Sequence, residues 1–423
     1  MHLSGTVLIR TANGTDVGGG SRQLAGGRLS EKFKVEPTEL AGAGSYVLEL
    51  AKHADSATKM SVKCAAPQGK DFTGLMSVLE GAVNSLAEAT KARQAPLIDD
   101  LSGTGNEMKQ GAWDYHAQDR KNATSLAHTV IDGGKIVSVD SMSGEVSYGA
   151  PTPIQIDEPE HRQADSRSLI DASMGWVGEV DGKIRSLINW SPIEAALEPI
   201  AGNWAALETI GEAYAKAGTA LGTVGNDLSS VHSRLDPHWD GKAAVAFGDY
   251  VNNLSRGLEW EAATGRLIQQ GLNLASRKIQ DAVKRVLDLL MRSLERFVDF
   301  HDLSGAVHTV LKLIPGLGTE KTIDQVTRII YDIYKTVDTM LTDIKKAIDT
   351  VEEFLQFVSD PMGYAGGKID DKLAPYKKII DDAEQRAQNT QDLATTADVN
   401  RARDAPKQRY EAGAGEAPWE DAP

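Results

Sequence analysis

Residues 239–247 read Trp-Asp-Gly-Lys-Ala-Ala-Val-Ala-Phe, and the first three of them separate two long runs of helical periodicity. Apolar residues recur at steps of three and four on both sides, which is typical of one buried helical face. Asp236 precedes Pro237 and is disfavoured in the α region, so the first helix should end there. Gly241 can adopt a backbone conformation that other residues avoid, which suits a tight turn between antiparallel helices. This stretch predicts a helical hairpin with Trp239 at its tip.

The composition excludes several classes of protein. The 423 residues allow two or three domains. A formal net charge of −15 argues against a nucleic-acid partner, because phosphates need a basic surface. Cys64 is the single cysteine, so neither an intramolecular disulfide nor a cysteine zinc site is expected. The sequence has no apolar run long enough for a transmembrane segment, and residues 1–30 lack the apolar core of a Sec-type signal peptide.

The N-terminal third divides into a leader and a first helical hairpin. Residues 1–33 are rich in Gly and polar residues, and we expect them to be a disordered leader. Residues 34–125 carry two amphipathic runs that are separated near Pro67. This pattern predicts a helical hairpin, in which Pro96 is a point where the second helix can break.

The middle of the chain contains a linker and the Trp-x-Gly module. In residues 126–167, two β-branched runs flank Asp132-Gly133, which is a β-hairpin signal. The prolines and acidic residues that follow indicate an extended linker. Residues 168–300 contain the helical hairpin that turns at Trp239, and its second helix should continue to about residue 297.

The C-terminal part is predicted to extend the helices. Residues 301–383 are expected to form a helical extension, and apolar residues between 322 and 358 form a nearly strict heptad seam. Such a seam fits the last core helix of a bundle or an intermolecular coiled coil. Residues 384–423 are polar and Ala-rich, and we expect a disordered tail. The predicted fold class is all-α: an elongated antiparallel helical bundle made of two helical-hairpin modules with long C-terminal helices.

Residue types that could carry chemistry are not grouped in the sequence. The nine histidines are scattered, and none has the i, i+4 pairing with a nearby carboxylate that is typical of a zinc site on a helix. A Gly-rich phosphate loop, a serine nucleophile elbow and a cysteine with a base are also missing from the sequence. We therefore expect no enzymatic activity, no cofactor and no metal site.

Two motifs resemble a known family. Trp239-x-Gly241, followed by small alanines and a Phe, resembles the Trp-x-Gly helical-hairpin family exported by type VII (ESX) secretion systems of Gram-positive bacteria. Residues 34–122 are similar to the small EspC-type hairpins of these systems, which end in a Tyr-x-x-x-Asp/Glu export signal. Here that element reads Tyr115-His-Ala-Gln-Asp119. The resemblance implies a composite export signal made of Tyr115, Asp119, Trp239 and Gly241.

The resemblance also implies a role, partners and a location. It implies a non-enzymatic secretion substrate or secretion-associated structural protein, exported folded. The implied partners are the type VII secretion ATPase or a chaperone, with small Trp-x-Gly proteins or self-association as further candidates. The protein would be secreted or on the cell surface, without a Sec signal peptide, after a cytoplasmic stage.

Two other interpretations stay open from the sequence. One is a cytosolic helical scaffold or chaperone that binds partner helices through the 322–358 seam. The other is an N-terminal delivery module related to secreted toxins, because residues 191–204 resemble the larger variant of the hairpin found in actinobacterial toxins.

Two expectations concern the geometry of the export signal. Tyr115 and Asp119 are expected on a solvent-facing surface, where their replacement costs less stability than the loss of a core side chain. The apolar stripe of each hairpin needs a partner layer, so the two hairpins are predicted to pack against each other. That packing would bring Tyr115 and Trp239 to the same end of the molecule.

Overall fold

The computed structural model describes most of the chain between residues 34 and 404. The described residues are 34–69, 71–120, 129–132, 135–164, 202–295, 341–364, 369–380 and 386–404, with a few single positions between 169 and 197. They are mostly helical, which confirms the predicted all-α class. The helices are α1 (Pro37–Cys64), α2 (Ser77–Arg120), α3 (Trp204–Leu235), α4 (Lys242–Glu295), α5 (Ile369–Ile380), α6 (Arg386–Ala397) and α7 (Val399–Asp404), and residues 341–359 are also helical. Among the helices within these ranges, none is long and apolar enough to span a membrane.

The Trp-x-Gly hairpin consists of α3 and α4, and it turns at the predicted position. Helix α3 ends at Leu235, and a 3₁₀ turn follows at Asp236–His238. Asp236 itself keeps helical dihedral angles, with φ −48° and ψ −44°, so the helix ends by tightening and not by leaving the α region. Gly241 has a φ of +108°, a value that favours glycine. The chain can therefore reverse within three residues and begin α4 at Lys242.

The first hairpin consists of α1 and α2. Pro37 opens α1, where its missing N–H is one that an α-helix leaves unpaired. Helix α2 continues through Pro96 without a break, so the second helix of this hairpin is longer than the proline suggested. Close to that position, Ser61 of α1 donates a 2.9 Å hydrogen bond to the amide oxygen of Gln94, a buried polar contact between the two helices.

Two buried apolar clusters hold the helices together. The turn-end core takes side chains from α1, α2, α3 and α4, and it includes Val35, Tyr115, Trp239 and Phe247. The distal core lies toward the other end, and it includes side chains from α2, α3 and α4, from residues 344–358 and from the C-terminal helices. Both cores draw on both hairpins. The hairpins therefore pack against each other, as predicted.

The described half of the heptad seam is part of the distal core. Ile348, Val351 and Leu355 are at most 1% exposed. Their burial inside the chain supports the interpretation of this half as a core helix, and these side chains are not available to a partner helix. Residues 322–340 of the seam lie outside the described residues.

The predicted β-hairpin is present, and the linker after it is packed. Strand β1 (Thr129–Asp132) pairs antiparallel with β2 (Lys135–Val139) around the predicted turn. Residues 140–164, here called the strap, have neither helix nor strand and run along α1 and α3. Thr152 donates two hydrogen bonds, both 2.7 Å long, to the carboxylate of Asp227, which is only 8% exposed. The strap therefore connects the first hairpin to the second through contacts with both.

The prediction of a disordered tail is wrong for residues 386–404. Helices α6 and α7 pack on α4, and Asp392, which is 1% exposed, accepts hydrogen bonds of 2.8 and 2.6 Å from the guanidinium of Arg266. The indole of Trp260 donates a 3.1 Å hydrogen bond to the carbonyl of Thr396. Buried polar pairs provide much of the docking that an apolar stripe provides in the long helices. The hydrophobic pattern of residues 386–404 therefore did not indicate these helices. Residues 405–423 lie outside the described residues.

Replacing Asp392 with alanine should release the C-terminal helices. The loss of charge-assisted hydrogen bonds should weaken their docking by about 1.5–3 kcal/mol. Trypsin cleavage at Arg386 in the folded protein measures this release, and it should become at least about tenfold faster. Asp398→Ala is the matched control, because that carboxylate is 36% exposed and its ion pairs face solvent. Equal cleavage of both variants would contradict the docking role of Asp392.

Candidate functional site

Trp239 lies buried where the turn meets the turn-end core. It is 3% exposed, and its ring centroid lies 5.8 Å from that of Phe247 on the first turns of α4. Phe247 in turn contacts Tyr250 and His232, with centroid distances of 6.4 and 5.9 Å. The spacing of Trp239 and Phe247 in the motif thus places both rings in one aromatic cluster. The cluster fixes the entry of α4 against the end of α3.

Tyr115 reaches the same cluster from the first hairpin. It lies near the C-terminal end of α2 and is 3% exposed. Burial raises the pKa of Tyr115 to about 12, and the side chain of Trp239, which belongs to the same turn-end core, counteracts part of this rise. The structure therefore brings Tyr115 and Trp239 together at one end of the molecule, as predicted.

The expected solvent exposure of Tyr115 is wrong. The face of α2 that carries Tyr115 is covered by the turn of the second hairpin, so the side chain is a core residue. The backbone of Asp119 lies one turn further along α2, and its side chain lies outside the described residues. Helical periodicity identified an amphipathic face, but it could not say which part of that face a second hairpin covers.

A short segment before α1 covers Trp239. Val35, which is fully buried, forms an antiparallel β-bridge with Trp239. The amide of Glu36 donates to the carbonyl of His238 at 2.9 Å, and the amide of Asp240 donates to the carbonyl of Lys34 at 2.8 Å. Residues 34–36 are called the latch below. The latch leaves no signal in the sequence, because a single bridged pair of residues has no periodicity to detect.

Ionic side chains reinforce the latch. A carboxylate oxygen of Glu36 lies 2.9 Å from Nδ1 of His238, and the other lies 3.1 Å from the Lys34 ammonium. The Lys34 ammonium also donates to the carbonyl of Pro237 at 2.8 Å. Burial alone would raise the pKa of Glu36, but hydrogen bonds and charges from Lys34 and His238 outweigh it and lower the pKa. The ionised form of Glu36 is therefore the one that holds the latch.

The same residues include a group with the composition of a metal site. Among the described residues, Glu36, Glu39 and His238 bring three donor atoms within 4.8 Å of one another. Lys34 contacts the first carboxylate at 3.1 Å, and Arg234 lies 4.0 Å from the second. A divalent cation would have to displace or repel these side chains. We therefore assign the group to the ionic network of the latch.

A groove of about 330 Å³ lies between α1 and the strap. Tyr46 and Glu49 line it from α1, and Glu145 and Tyr148 line it from the strap. The guanidinium of Arg234 lies 3.8 Å from the centre of the Tyr148 ring. The lining contains hydroxyls and carboxylates but no His, Lys or Cys. These groups do not form a nucleophile paired with a nitrogen base.

Comparison with protein-family models, with curated proteins and with solved structures finds no match. The resemblance to type VII secretion proteins therefore depends on two motifs, their order and their placement in the fold. Tyr115, Trp239 and Gly241 lie at one end of the described structure, and the backbone of Asp119 lies on the helix that leads there.

Proposed function

We propose that this chain is a non-enzymatic substrate or secretion-associated structural component of a type VII (ESX) secretion system. The composite signal would consist of Tyr115, Asp119, Trp239 and Gly241. The partner of the protein would be the secretion ATPase or a chaperone, and the protein would leave the cytoplasm in its folded state.

The observation that carries the proposal is the contact between Tyr115 and Trp239. The two residues come from different hairpins, yet both are buried in the turn-end core, and Trp239 lies close enough to influence the Tyr115 pKa. A signal divided between two motifs needs such a contact, because a receptor can read both motifs at once only if they are adjacent. Asp240, Gly241 and Lys242 are exposed beside the pair and offer a surface for recognition.

The buried polar groups support a structural role for the helices. Arg93 of α2 donates a 2.8 Å hydrogen bond to Glu261 of α4, and its guanidinium lies 5.1 Å from the centre of the Trp260 ring. These groups contact one another and fix the packing of the two hairpins. The scaffold interpretation has less support, because the described half of the 322–358 seam is buried in the distal core.

Export from cells tests the proposal. The protein should accumulate outside cells that carry an active type VII system, with its N-terminus uncleaved, and it should stay inside when the secretion ATPase is deleted. Trp239→Phe and Asp119→Asn should reduce secretion by at least about tenfold, which corresponds to a loss of about 1.4 kcal/mol of recognition. Immunoblots of culture fluid and cells, with a cytosolic marker for lysis, measure both effects.

Trp204→Phe provides the matched control. Trp204 opens α3 in the same hairpin and is 4% exposed, but it belongs to the distal core and to neither motif. This variant should be exported like the wild type if its stability matches that of Trp239→Phe. If the amount secreted depends only on the thermal stability of a variant, and not on which tryptophan is replaced, the composite signal is rejected.

A further inference from the structure

The proposed signal has a physical difficulty, because its two aromatic side chains are not accessible in the closed structure. Tyr115 and Trp239 are each 3% exposed, and Val35 of the latch lies against Trp239 with no exposed surface at all. A receptor that contacts the rings directly must first displace whatever covers them. Residues 34–36 are the smallest covering element among the described residues.

We propose that residues 34–36 are a displaceable latch and that a type VII receptor reads the Tyr115–Trp239 pair when the latch is open. This inference rests on the proposed function for the identity of the reader. The opening of the latch is a property of the chain alone, and it can be measured without any receptor.

The contacts of the latch are few compared with those of the helices around it. It has one bridged pair, Val35 with Trp239, and two backbone hydrogen bonds. The side chains of Lys34, Glu36 and His238 remain 27–35% exposed, so water and salt screen their ion pairs. Short, partly exposed segments of this kind open locally without unfolding the core. The next residue, Pro37, begins α1 and anchors one end of the latch.

Opening would create a binding edge with a definite chemistry. The carbonyl of His238 and the amide of Asp240 would lose their partners in residues 34–36. They could then pair with an extended segment of the receptor, as in the addition of a strand to an exposed edge. An apolar side chain of that segment would fill the place of Val35 over Trp239. The expected ligand is therefore an extended peptide segment with an apolar residue at its centre.

Hydrogen exchange of the full-length protein tests the opening. The amides of Glu36 and Asp240 should exchange at least about 100-fold faster than amides in the middle of α3 and α4. Glu36→Gln weakens both ion pairs and should accelerate exchange of these two amides by about fivefold. Glu49→Gln is the matched control, because Glu49 lies on α1 and pairs only with the exposed Lys52 in the described structure. If both amides exchange as slowly as the helix interiors, and Glu36→Gln changes nothing, the latch is rejected.

Export of the same variants tests whether a secretion receptor binds the form of the protein in which the latch is open. Glu36→Gln should leave the cell at least as fast as the wild type, because the variant populates the readable form more often. Export of the wild type but not of Glu36→Gln would show that the closed form is read and would overturn the inference. If the wild type is never exported although hydrogen exchange is as expected, the proposed function and its receptor are rejected. The exchange data would still support the opening of the latch.

Discussion

Replacing Trp239 with alanine is expected to lower the free energy of unfolding by about 3–5 kcal/mol. The indole is 3% exposed, packs against Phe247 and lies beneath Val35. Truncation would leave a cavity between α2, α4 and the latch, and the two hairpins cannot close it without moving. Global unfolding in urea, followed by circular dichroism, measures the change.

Tyr115 provides a second and more specific test of the same packing. Tyr115→Ala should cost about 3–5 kcal/mol, because it removes a buried aromatic side chain. Tyr115→Phe keeps the buried ring and removes only the hydroxyl, so it should cost far less than Tyr115→Ala, at most about 1.5 kcal/mol. A solvent-facing tyrosine would give a small change for both substitutions.

Val245→Ala is the control for both substitutions. Val245 lies between Trp239 and Phe247 in the sequence but is 66% exposed, so its truncation should change stability by no more than about 0.5 kcal/mol. If Trp239→Ala costs as little as Val245→Ala, Trp239 does not support the turn-end core. That result would also remove the physical basis for its contact with Tyr115.

The sequence predicted local features of the fold well where one residue type has one physical consequence. Helix α3 ends two residues before Pro237, Gly241 adopts a positive φ, and Asp132 pairs with Lys135 in the predicted β-hairpin. Residues with unusual backbone preferences mark these turns in the sequence, although Asp236 ends α3 without leaving the α region. The pairing of the two hairpins was also predictable, since an apolar stripe must be covered.

Features that depend on long-range contacts were not predictable in the same way. The exposure of Tyr115 depends on the turn at Trp239, which lies in the other hairpin. The docking of α6 depends on Asp392 and its partner Arg266, and a buried aspartate looks like a solvated one in the sequence. Prediction of the candidate site needed both local sequence motifs and long-range contacts. The motifs marked its residues, and only the fold showed that they are buried and covered by residues 34–36.

The protein is expected to unfold cooperatively in alkaline solution, at about pH 12. Three tyrosines are buried in its two cores: Tyr115, Tyr214 and Tyr376, at 3, 4 and 1% exposure. Burial raises the pKa of each of them, to about 12 for Tyr115. The hydroxyl of Tyr376 also donates a 2.6 Å hydrogen bond to the carbonyl of Leu267, which only the protonated form can make.

The direction of the pH effect follows from the raised pKa values. An unfolded tyrosine ionises near pH 10, whereas the folded chain keeps these three protons to higher pH. The unfolded state therefore loses protons first, and the free energy of unfolding falls as pH rises above about 10. Each tyrosine contributes a slope of about 1.4 kcal/mol per pH unit, so three contribute about 4 kcal/mol per pH unit. Between pH 10 and pH 12 the loss is about 8 kcal/mol, which is comparable with a typical total stability of about 5–15 kcal/mol.

Urea unfolding between neutral pH and about pH 12, together with the ultraviolet absorbance of the phenolate, tests this expectation. Phenolate absorbance from the buried tyrosines should appear together with the loss of helical circular dichroism, because ionisation and unfolding are linked. Tyr376→Phe removes one of the three groups and should reduce the slope by about 1.4 kcal/mol per pH unit, whatever its effect on stability at neutral pH. Complete ionisation near pH 10 with the helices intact would show that these hydroxyls reach water. The burial of Tyr115, on which the latch depends, would then be wrong as well.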